Sequence, residues 1–567
     1  MVEMVRRTKA RLLDEWDGLL VLLAFAVWYL TNLRGALSID EAIYAESGLG
    51  VFQGNPYLNP THAIAPTAKY ATGLTQALLG QSSFAVRLPA VLFGLGTLYV
   101  TYKLGRRFRG RWLGLGAMSL LGTTYVFAHY SVRMMLDVPL AFFFVASLLG
   151  ALAYLDGETV LVGLVTGGLI AATATTKVYG LVYALPPALI LLVGVTRRDD
   201  RSLRRSLRDP IVGGVVLLVA IYLPFAVFPH PPVAGAYAGT IEALLSLPVL
   251  GNYAYVVGQA LAKNFLHLGD GHAVTVGNTI YQRPPVWTYG YWLYEQGGVL
   301  YVGALLSTVV AVPVAALRRE RDLVALAWSV GFPLVALSLL TVKFPRYVLP
   351  LFPLLILGGL YSGAMLVRGV LHRDSSPQAK RSVRGYGIVI GSVLLLVLMP
   401  PSGITETTET PIREDSGFDE AAAEVARYAA ESGDDDVVLT YHPSALDYYL
   451  GEREDVALVN IRPGDTGGEI HAELADRIRR GELDLAVVPS GDERLRGTEL
   501  FDLITTTGVE LGSIPTSPGG SELLVYELIQ RENVPEGTAG FISADQVRTY
   551  RHLTHVRGSV SSTEYGC

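Results

Sequence analysis

Hydrophobic residues fill long uninterrupted stretches of the chain up to about residue 401, and polar residues gather between them. Stretches such as 19–33 and 302–317 approach the roughly 20 residues with which a helix crosses the hydrocarbon core of a membrane. One such stretch is also typical of a buried core helix, but a long succession is not. The pattern predicts a polytopic α-helical membrane protein with about 11 spans, at 17–35, 84–102, 112–129, 138–155, 159–176, 178–196, 211–229, 298–317, 322–341, 347–366 and 385–401.

A different pattern begins after about residue 401. A helical stretch with one apolar face is followed by short apolar segments that alternate with further helical stretches, at 437–440, 457–459, 485–488 and 523–526. Such alternation predicts an α/β domain. We therefore expect a transmembrane domain over 1–401, an extracytoplasmic α/β domain over 402–553 and a disordered tail over 554–567. Acceptor recognition and a structural cap are both open roles for the α/β domain.

The distribution of charge predicts the orientation in the membrane. Of the 32 Lys and Arg residues in 1–401, 23 fall in the inner segments if the N-terminus is cytoplasmic, and nine fall in the outer loops. Cytoplasmic loops carry the excess of Lys and Arg, and the opposite orientation would invert this ratio. We therefore expect a multi-pass protein of the cell membrane with a cytoplasmic N-terminus and an extracellular C-terminal domain.

The C-terminal part of the chain is strongly acidic. Residues 402–567 hold 32 Asp and Glu, 13 Arg and no Lys, a net charge of −19, whereas residues 1–401 carry +13. A Lys-free acidic surface stays hydrated at high ionic strength, which predicts a salt-loving source, and an ordinary acidic domain is the alternative. This charge does not indicate a nucleic-acid partner. Cys567 is the only cysteine, so no disulfide framework is expected.

The few outer basic residues lie at or near the outer ends of the predicted spans. They include Lys69, Arg87, Arg133, Lys177, Lys343 and Arg346. A single such residue is most simply explained by a side chain that reaches the lipid headgroups. Charged groups at membrane level are costly and persist where they pair or bind a ligand, so the whole set predicts a site for an anion.

The outer loops also carry carboxylates. The first loop opens with Ser38-Ile39-Asp40-Glu41, in which Ser38 and Glu41 form the capping box of a helix. That arrangement leaves Asp40 available as a general base. In the second outer loop Arg133 and Asp137 are four residues apart, so on a helix they would share a face and form a salt bridge. The functional alternative places Arg133 on an anion and Asp137 beside the catalytic carboxylate.

The order of these features resembles a known family over about residues 15–360. The features are an acidic pair after the first span, Pro66-x-x-Lys69, Arg133-x-x-x-Asp137, Lys177 after the fifth span, and Lys343-x-x-Arg346-Tyr347-x-x-Pro350. They are similar to those of GT-C fold glycosyltransferases that use polyprenyl-phosphate sugars. The most similar branch is family 39, the protein O-mannosyltransferases and the aminoarabinose transferases of lipid A. Its frequent His-Pro-Pro-Leu-Gly-Lys motif is Ile64-Ala65-Pro66-Thr67-Ala68-Lys69 here, which disfavours the eukaryotic O-mannosyltransferase subgroup.

The resemblance implies transfer of a sugar, with mannose favoured, from a polyprenyl (dolichyl) phosphate to an acceptor on the outer face, with inversion at the anomeric carbon. Asp40 would be the catalytic base, with Glu41 and Asp137 as further catalytic residues. The donor phosphate would be bound by a set of cations, Arg133, Arg346, Lys343, Lys177 and Lys69. The implied partners are the lipid-linked donor, membrane lipid, and a protein, glycan or lipid acceptor. No cofactor is required, although a divalent metal is compatible with this chemistry.

An aromatic segment precedes the eighth predicted span and contains Trp287, Tyr289 and Tyr291. It is explained equally by an aromatic belt at the membrane surface and by stacking on the sugar or polyprenyl chain, as the similar segment of archaeal relatives suggests. His267, Asp270 and His272 are candidate metal ligands, but a Gly-rich loop without a fourth ligand is the favoured interpretation.

The principal alternative function is a transporter or flippase of lipid-linked sugars. Such proteins have inverted repeats and charges near the membrane midplane, in helices broken by Gly or Pro. Here the ionisable residues gather at the outer ends of the predicted spans, which favours an enzyme. A non-catalytic scaffold would leave the outer carboxylates and cations unexplained.

Overall fold

The fold is that of a computed structural model. It describes residues 2–33, 35–54, 66–157, 159–196, 203–227, 274–276, 279–281, 284–295, 301, 304–305, 321–340, 343–371 and, with short gaps, 417–528. By its internal contacts the chain divides into two units. The first comprises Met1–Arg34 and Tyr44–Arg413, and the second comprises Gly35–Ile43 and Glu414–Cys567.

The first unit is helical over nearly all of its described length. Its helices are α1 (Val2–Leu30), α2 (Ile39–Phe52, which begins in the second unit), α3 (Thr67–Leu79), α4 (Ser83–Arg109), α5 (Arg111–Thr123), α6 (Tyr125–Ser131), α7 (Asp137–Gly157), α8 (Val160–Thr176), α9 (Gly180–Thr196), α10 (Leu203–Val227), α11 (Arg321–Ser338) and α12 (Phe352–Leu371). The 3₁₀ helix Pro345–Leu351 leads directly into α12, and β1 (Val274–Val276) pairs antiparallel with β2 (Thr279–Tyr281).

Several of these helices have the length and composition of membrane spans. Within the described ranges, five helical segments are long and apolar enough to cross a membrane: Ser83–Arg109, Asp137–Gly157, Ser206–Phe225, Arg321–Ser338 and Pro345–Ala364. Two shorter apolar helices, Val160–Thr176 and Gly180–Thr196, coincide with predicted spans. The predicted spans 298–317 and 385–401 lie largely or wholly outside the described residues. A helical membrane protein is therefore confirmed, and the count of about 11 spans stays a prediction.

Local sequence sets where these helices begin and end. Ser82 caps α4 by accepting a hydrogen bond from the Ala85 amide at 3.2 Å, and Thr159 caps α8 in the same way through Val162. The predicted span 112–129 is divided into α5 and α6, because Thr124 has an extended backbone. A single short connection between α7 and α8 makes these neighbours antiparallel, so the start of α7 and the end of α8 lie at the same end of the unit.

Close packing in the first unit depends on glycine. A Cβ atom on Gly167 of α8 would lie 1.7 Å from the Pro210 carbonyl oxygen of α10, and one on Gly73 of α3 would lie 2.1 Å from the Gly48 oxygen of α2. No larger residue fits at either backbone contact. Small residues at helix contacts of this kind are typical of helices packed in a membrane.

The second unit contains a five-stranded sheet in the order β4-β3-β5-β7-β6. The strands β3 (Asp436–Thr440), β4 (Val456–Asn460) and β5 (Leu485–Pro489) are parallel, and β6 (Gly508–Pro515) and β7 (Glu522–Leu528) complete the sheet antiparallel. One face packs on α13 (Phe418–Ser432) and α14 (Pro443–Leu450), and the other on α15 (Gly468–Arg479) and α16 (Glu499–Thr507). The four predicted apolar segments lie in β3, β4, β5 and β7, whereas α14, α16 and β6 were not predicted.

Candidate active site

A buried ion pair joins the start of α7 to the end of α8. Asp137 occupies the first turn of α7, and Lys177 follows the last residue of α8. The Lys177 Nζ lies 2.6 Å from Asp137 Oδ1, and Asp137 is only 1% exposed. The helix dipoles favour this placement, because a carboxylate is stabilised at a helix N-terminus and a cation at a C-terminus.

A second cation reaches the same carboxylate from a distant part of the chain. Arg346 lies in the 3₁₀ helix before α12, and its Nε is 3.9 Å from Asp137 Oδ2. Tyr179 donates a hydrogen bond to Asp137 Oδ1 at 3.3 Å. Asp137 Oδ2 accepts no hydrogen bond from the residues that the structure describes. Two cations thus converge on one buried carboxylate, and guanidinium and ammonium groups of this kind suit the binding of an anion.

Two tyrosine rings complete this arrangement, which we call the Asp137 cluster: Asp137, Lys177, Tyr179, Arg346 and Tyr347. The rings of Tyr179 and Tyr347 have centroids 4.1 Å apart, and Lys177 Nζ lies 5.0 Å from each. This geometry is that of cation–π contacts.

The two tyrosines were not predicted as site residues. Each follows a predicted cation by one or two positions, in Lys177-Val178-Tyr179 and Arg346-Tyr347, and this proximity was the signal in the sequence. Tyr183 supports the arrangement from α9, where its hydroxyl donates to the Tyr347 carbonyl oxygen at 2.5 Å.

Arg133 has a different partner from the one expected of a helical pair. The predicted shared face with Asp137 is wrong, because α6 ends at Ser131 and α7 begins only at Asp137. The Nη1 of Arg133 instead lies 2.7 Å from His129 Nε2, and the His129 ring stacks on Tyr125 at 5.6 Å. The residue is buried at this position.

Two predicted phosphate ligands, Lys343 and Lys69, are buried and contact other parts of the protein. Lys343 donates to the carbonyl oxygens of Pro284, at 2.8 Å, and Leu340, and thereby holds the aromatic segment to the end of α11. Lys69, in α3, lies over the Tyr44 ring with Nζ 5.5 Å from the centroid. Burial lowers the pKa of both lysines, because the charged form loses its hydration.

The carboxylates Asp40 and Glu41 of the predicted first outer loop lie at the start of α2, in a segment that packs with the second unit. Glu41 is fully buried, and its Oε2 accepts hydrogen bonds from the backbone amide and hydroxyl of Ser38 at 3.0 and 3.1 Å. The predicted capping pair is therefore present. Asp40, in the first turn of the helix, is half-buried.

The aromatic candidates differ in exposure. Trp287 is 52% exposed, Tyr291 is half-buried, and their rings meet edge to face at 6.4 Å. Tyr289 is fully buried in the core against Trp292, so it has no surface for a ligand. The proposed metal ligands His267, Asp270 and His272 lie outside the described residues. Within the described ranges no three His, Cys, Asp or Glu residues gather as a metal site.

Comparison with solved structures identifies the fold. ArnT from Cupriavidus metallidurans, solved bound to undecaprenyl phosphate, superposes with a TM-score of 0.54 at 14% identity, over 93% of this chain and 99% of ArnT. This chain has the GT-C fold. The archaeal oligosaccharyltransferase AglB from Archaeoglobus fulgidus, in complex with an inhibitory peptide and a dolichol-phosphate, shares the GT-C fold with a TM-score of 0.55 at 13% identity, over 93% of this chain and 75% of AglB.

The sequence comparison points in the same direction. Residues 61–228 match the family model described as dolichyl-phosphate-mannose-protein mannosyltransferase, a range that contains Lys69, Arg133, Asp137 and Lys177. No curated protein matches the chain by sequence. The Archaeoglobus fulgidus oligosaccharyltransferase has also been solved in complex with Zn and sulfate. That structure superposes with a TM-score of 0.52 at 12% identity, over 91% of this chain and 74% of the oligosaccharyltransferase chain. The resemblance to GT-C glycosyltransferases is thereby confirmed.

Proposed function

We propose that this GT-C protein transfers a sugar, mannose, from a polyprenyl (dolichyl) phosphate to an acceptor on the outer face of the membrane. The Asp137 cluster is the observation that supports this function. It brings Lys177 and Arg346 to one buried carboxylate. Charged groups at membrane level persist where they pair or bind a ligand, and two such cations suit a lipid phosphate.

In the proposed reaction the acceptor oxygen attacks the anomeric carbon from the side opposite the phosphate. Asp40 takes the proton of the acceptor hydroxyl as the new bond forms. The bond between the anomeric carbon and the phosphate oxygen breaks, and its electron pair leaves with the phosphate. Configuration at the anomeric carbon is inverted. The leaving phosphate is already a stable anion, so the reaction needs cations to stabilise it and no general acid.

The remaining side chains take supporting roles in this proposal. Lys177, Arg346 and Arg133 bind the donor phosphate, and Asp137 holds the first two in position through the contacts at 2.6 and 3.9 Å. Trp287 and Tyr291 offer ring surface to the sugar or the lipid chain. The acceptor is a protein, a glycan or a lipid. The rings of Tyr179 and Tyr347 lie 5.0 Å from Lys177 Nζ, and the residue is only 9% exposed, so its attraction to a phosphate is weakly screened by water.

The test uses the purified full-length protein in lipid nanodiscs with polyprenyl-phosphate mannose and candidate acceptors, and mass spectrometry identifies the product. Asp40→Asn should abolish transfer while the protein stays folded and inserted. Asp419→Asn is the matched control, because Asp419 also lies in the first turn of a helix, α13. It should leave the rate unchanged. Turnover retained by Asp40→Asn would exclude Asp40 as the base.

A second variant tests the donor site. Arg133→Ala should raise the KM for the lipid donor far more than the KM for the acceptor, because the guanidinium is assigned to the phosphate. Absence of transfer from every polyprenyl-phosphate sugar, with binding and transport of the intact lipid retained, would overturn the proposed function.

A further inference from the structure

The nine residues Gly35–Ile43, which carry the proposed base, pack as part of the C-terminal unit although they follow the first helix of the chain. Ala36 and Leu37 are buried, and Ala42 is fully buried in the core formed by α13, α14 and one face of the sheet. Ile39 packs on the same core. The surroundings of Asp40 are therefore set by residues nearly 400 positions later in the sequence.

One hydrogen bond fixes the chain just before the helix. The backbone amide of Leu37 donates to the hydroxyl oxygen of Tyr449, in α14, at 2.6 Å. The Tyr449 ring is in turn held edge to face against Tyr448 at 5.1 Å. Leu37 is three residues before Asp40, so this contact holds the chain directly ahead of helix α2.

Two further contacts hold the residues on either side of Asp40. The Glu41 carboxylate accepts from the Ser38 amide at 3.0 Å, which closes the first turn of the helix. Leu37 precedes the capping residue and Ala42 lies in the fourth helical position, and both are fully buried. Burial at these two positions sets the angle at which a chain enters a helix. Asp40 stays half-buried between these fixed neighbours.

We propose that the C-terminal domain positions the catalytic base, and that Tyr449 is the positioning residue through which it does so. This inference rests on the proposed role of Asp40. Its physical basis is that a general base acts only within hydrogen-bond reach of the proton it removes. A small displacement of a reacting group is costly in rate, so a fixed backbone around Asp40 directly affects turnover.

The experiment compares two variants of the full-length protein in nanodiscs. Tyr449→Phe removes the hydroxyl that accepts from Leu37 and keeps the ring. The matched control is Tyr428→Phe, because Tyr428 lies in the same core and its hydroxyl donates to Glu527 Oε1 at 3.1 Å. Each variant loses one hydrogen bond of the second unit, part-buried at Tyr449 and buried at Tyr428, so both should show small decreases in Tm.

Only Tyr449→Phe should affect the base. We expect kcat to fall by on the order of tenfold with the KM for the donor unchanged. Amide hydrogen exchange in residues 36–42 should become about fivefold faster, because one hydrogen bond is lost. Tyr428→Phe should change neither quantity.

The outcomes separate this inference from the proposed function. Unchanged exchange in residues 36–42, or a kcat equal to that of Tyr428→Phe, would overturn the positioning role of Tyr449. Turnover by Asp40→Asn would instead overturn the role of the base, and with it the catalytic half of the inference. The exchange result does not depend on turnover, so it tests the anchoring contact even if no sugar is transferred.

Discussion

Asp137 offers the sharpest test of the proposed phosphate site, through the nearly isosteric change Asp137→Asn. The variant keeps the size of the side chain and removes its charge. At an effective dielectric constant of about 20, one pair of charges 2.6 Å apart attracts by about 6 kcal/mol, and a pair 3.9 Å apart by about 4 kcal/mol. Repulsion between the two cations and the cost of desolvation offset most of this attraction.

The expected net effect is that of breaking a buried ion pair. Such a change costs about 3–5 kcal/mol, because the remaining charges are left buried without a counter-ion. For a cooperative chain of 567 residues this corresponds to a decrease in Tm of about 3–4 °C. The matched control is Glu431→Gln, which breaks the exposed contact between Glu431 and Arg427 at 2.8 Å. An exposed helical pair is worth about 0.3–0.5 kcal/mol, so the control should lose less than about 1 °C.

The assay measures Tm in detergent with and without polyprenyl phosphate. The variant has one negative charge fewer at the Asp137 cluster, so a bound phosphate would replace the missing carboxylate and raise Tm more in Asp137→Asn than in the unchanged protein. An uncharged polyprenol should raise neither. A variant as stable as Glu431→Gln would refute the energetic argument. A destabilised variant that polyprenyl phosphate does not restore would exclude the cluster as the phosphate site.

Four further predictions concern single residues and the whole chain. Lys343→Met should lower Tm, since two backbone carbonyl oxygens lose a donor; a higher KM for the donor at unchanged Tm would show that Lys343 binds phosphate instead. Trp287→Ala should raise the KM for the lipid-linked donor, because its ring is assigned to the sugar or the lipid chain. The Tm should change little, because the ring is largely exposed. An unchanged KM for the donor would contradict the stacking role. Burial lowers the pKa of Lys69, so below pH 10.5 the unfolded chain binds a proton that the folded chain does not bind. The Tm of Lys69→Met relative to that of the unchanged protein should therefore rise as the pH falls below 10.5. A Tm difference that does not vary with pH would contradict this. The Tm of the full-length protein should rise between about 0.1 and 1 M salt as the charge of −19 in residues 402–567 is screened, whereas full stability in dilute buffer would count against a salt-loving source.

Much of the fold could be predicted from local patterns in the sequence. The short apolar segments predicted at 437–440 and 485–488 lie in β3 and β5, since alternation and hydrophobic runs reflect local burial. The capping pair of Ser38 and Glu41 was predictable for the same reason, because its members are three residues apart. The break between α5 and α6 at Thr124 was missed, although Gly122-Thr123-Thr124 interrupts the apolar run at that point.

The site was predictable only as a set of residues. Counting charges on the two sides of the membrane selected Lys177, Arg346 and Arg133, but it could not assign their partners. Residues four positions apart share a face only within one helix. Because α6 ends at Ser131, Arg133 does not share a helix face with Asp137. Tyr289 was predicted to stack on a ligand because its segment is aromatic. The tertiary packing buries its ring completely, and the sequence of the segment does not show this.

The sequence by itself therefore determined most of the described helices and strands and the list of candidate charged residues, because each follows from composition or from neighbours along the chain. The tertiary structure decided which charges meet. Asp137 contacts Lys177 and Arg346 because antiparallel helices bring distant ends together. Likewise Leu37 meets Tyr449 across 412 positions. Contacts of this kind depend on how whole elements pack, and no local pattern encodes that.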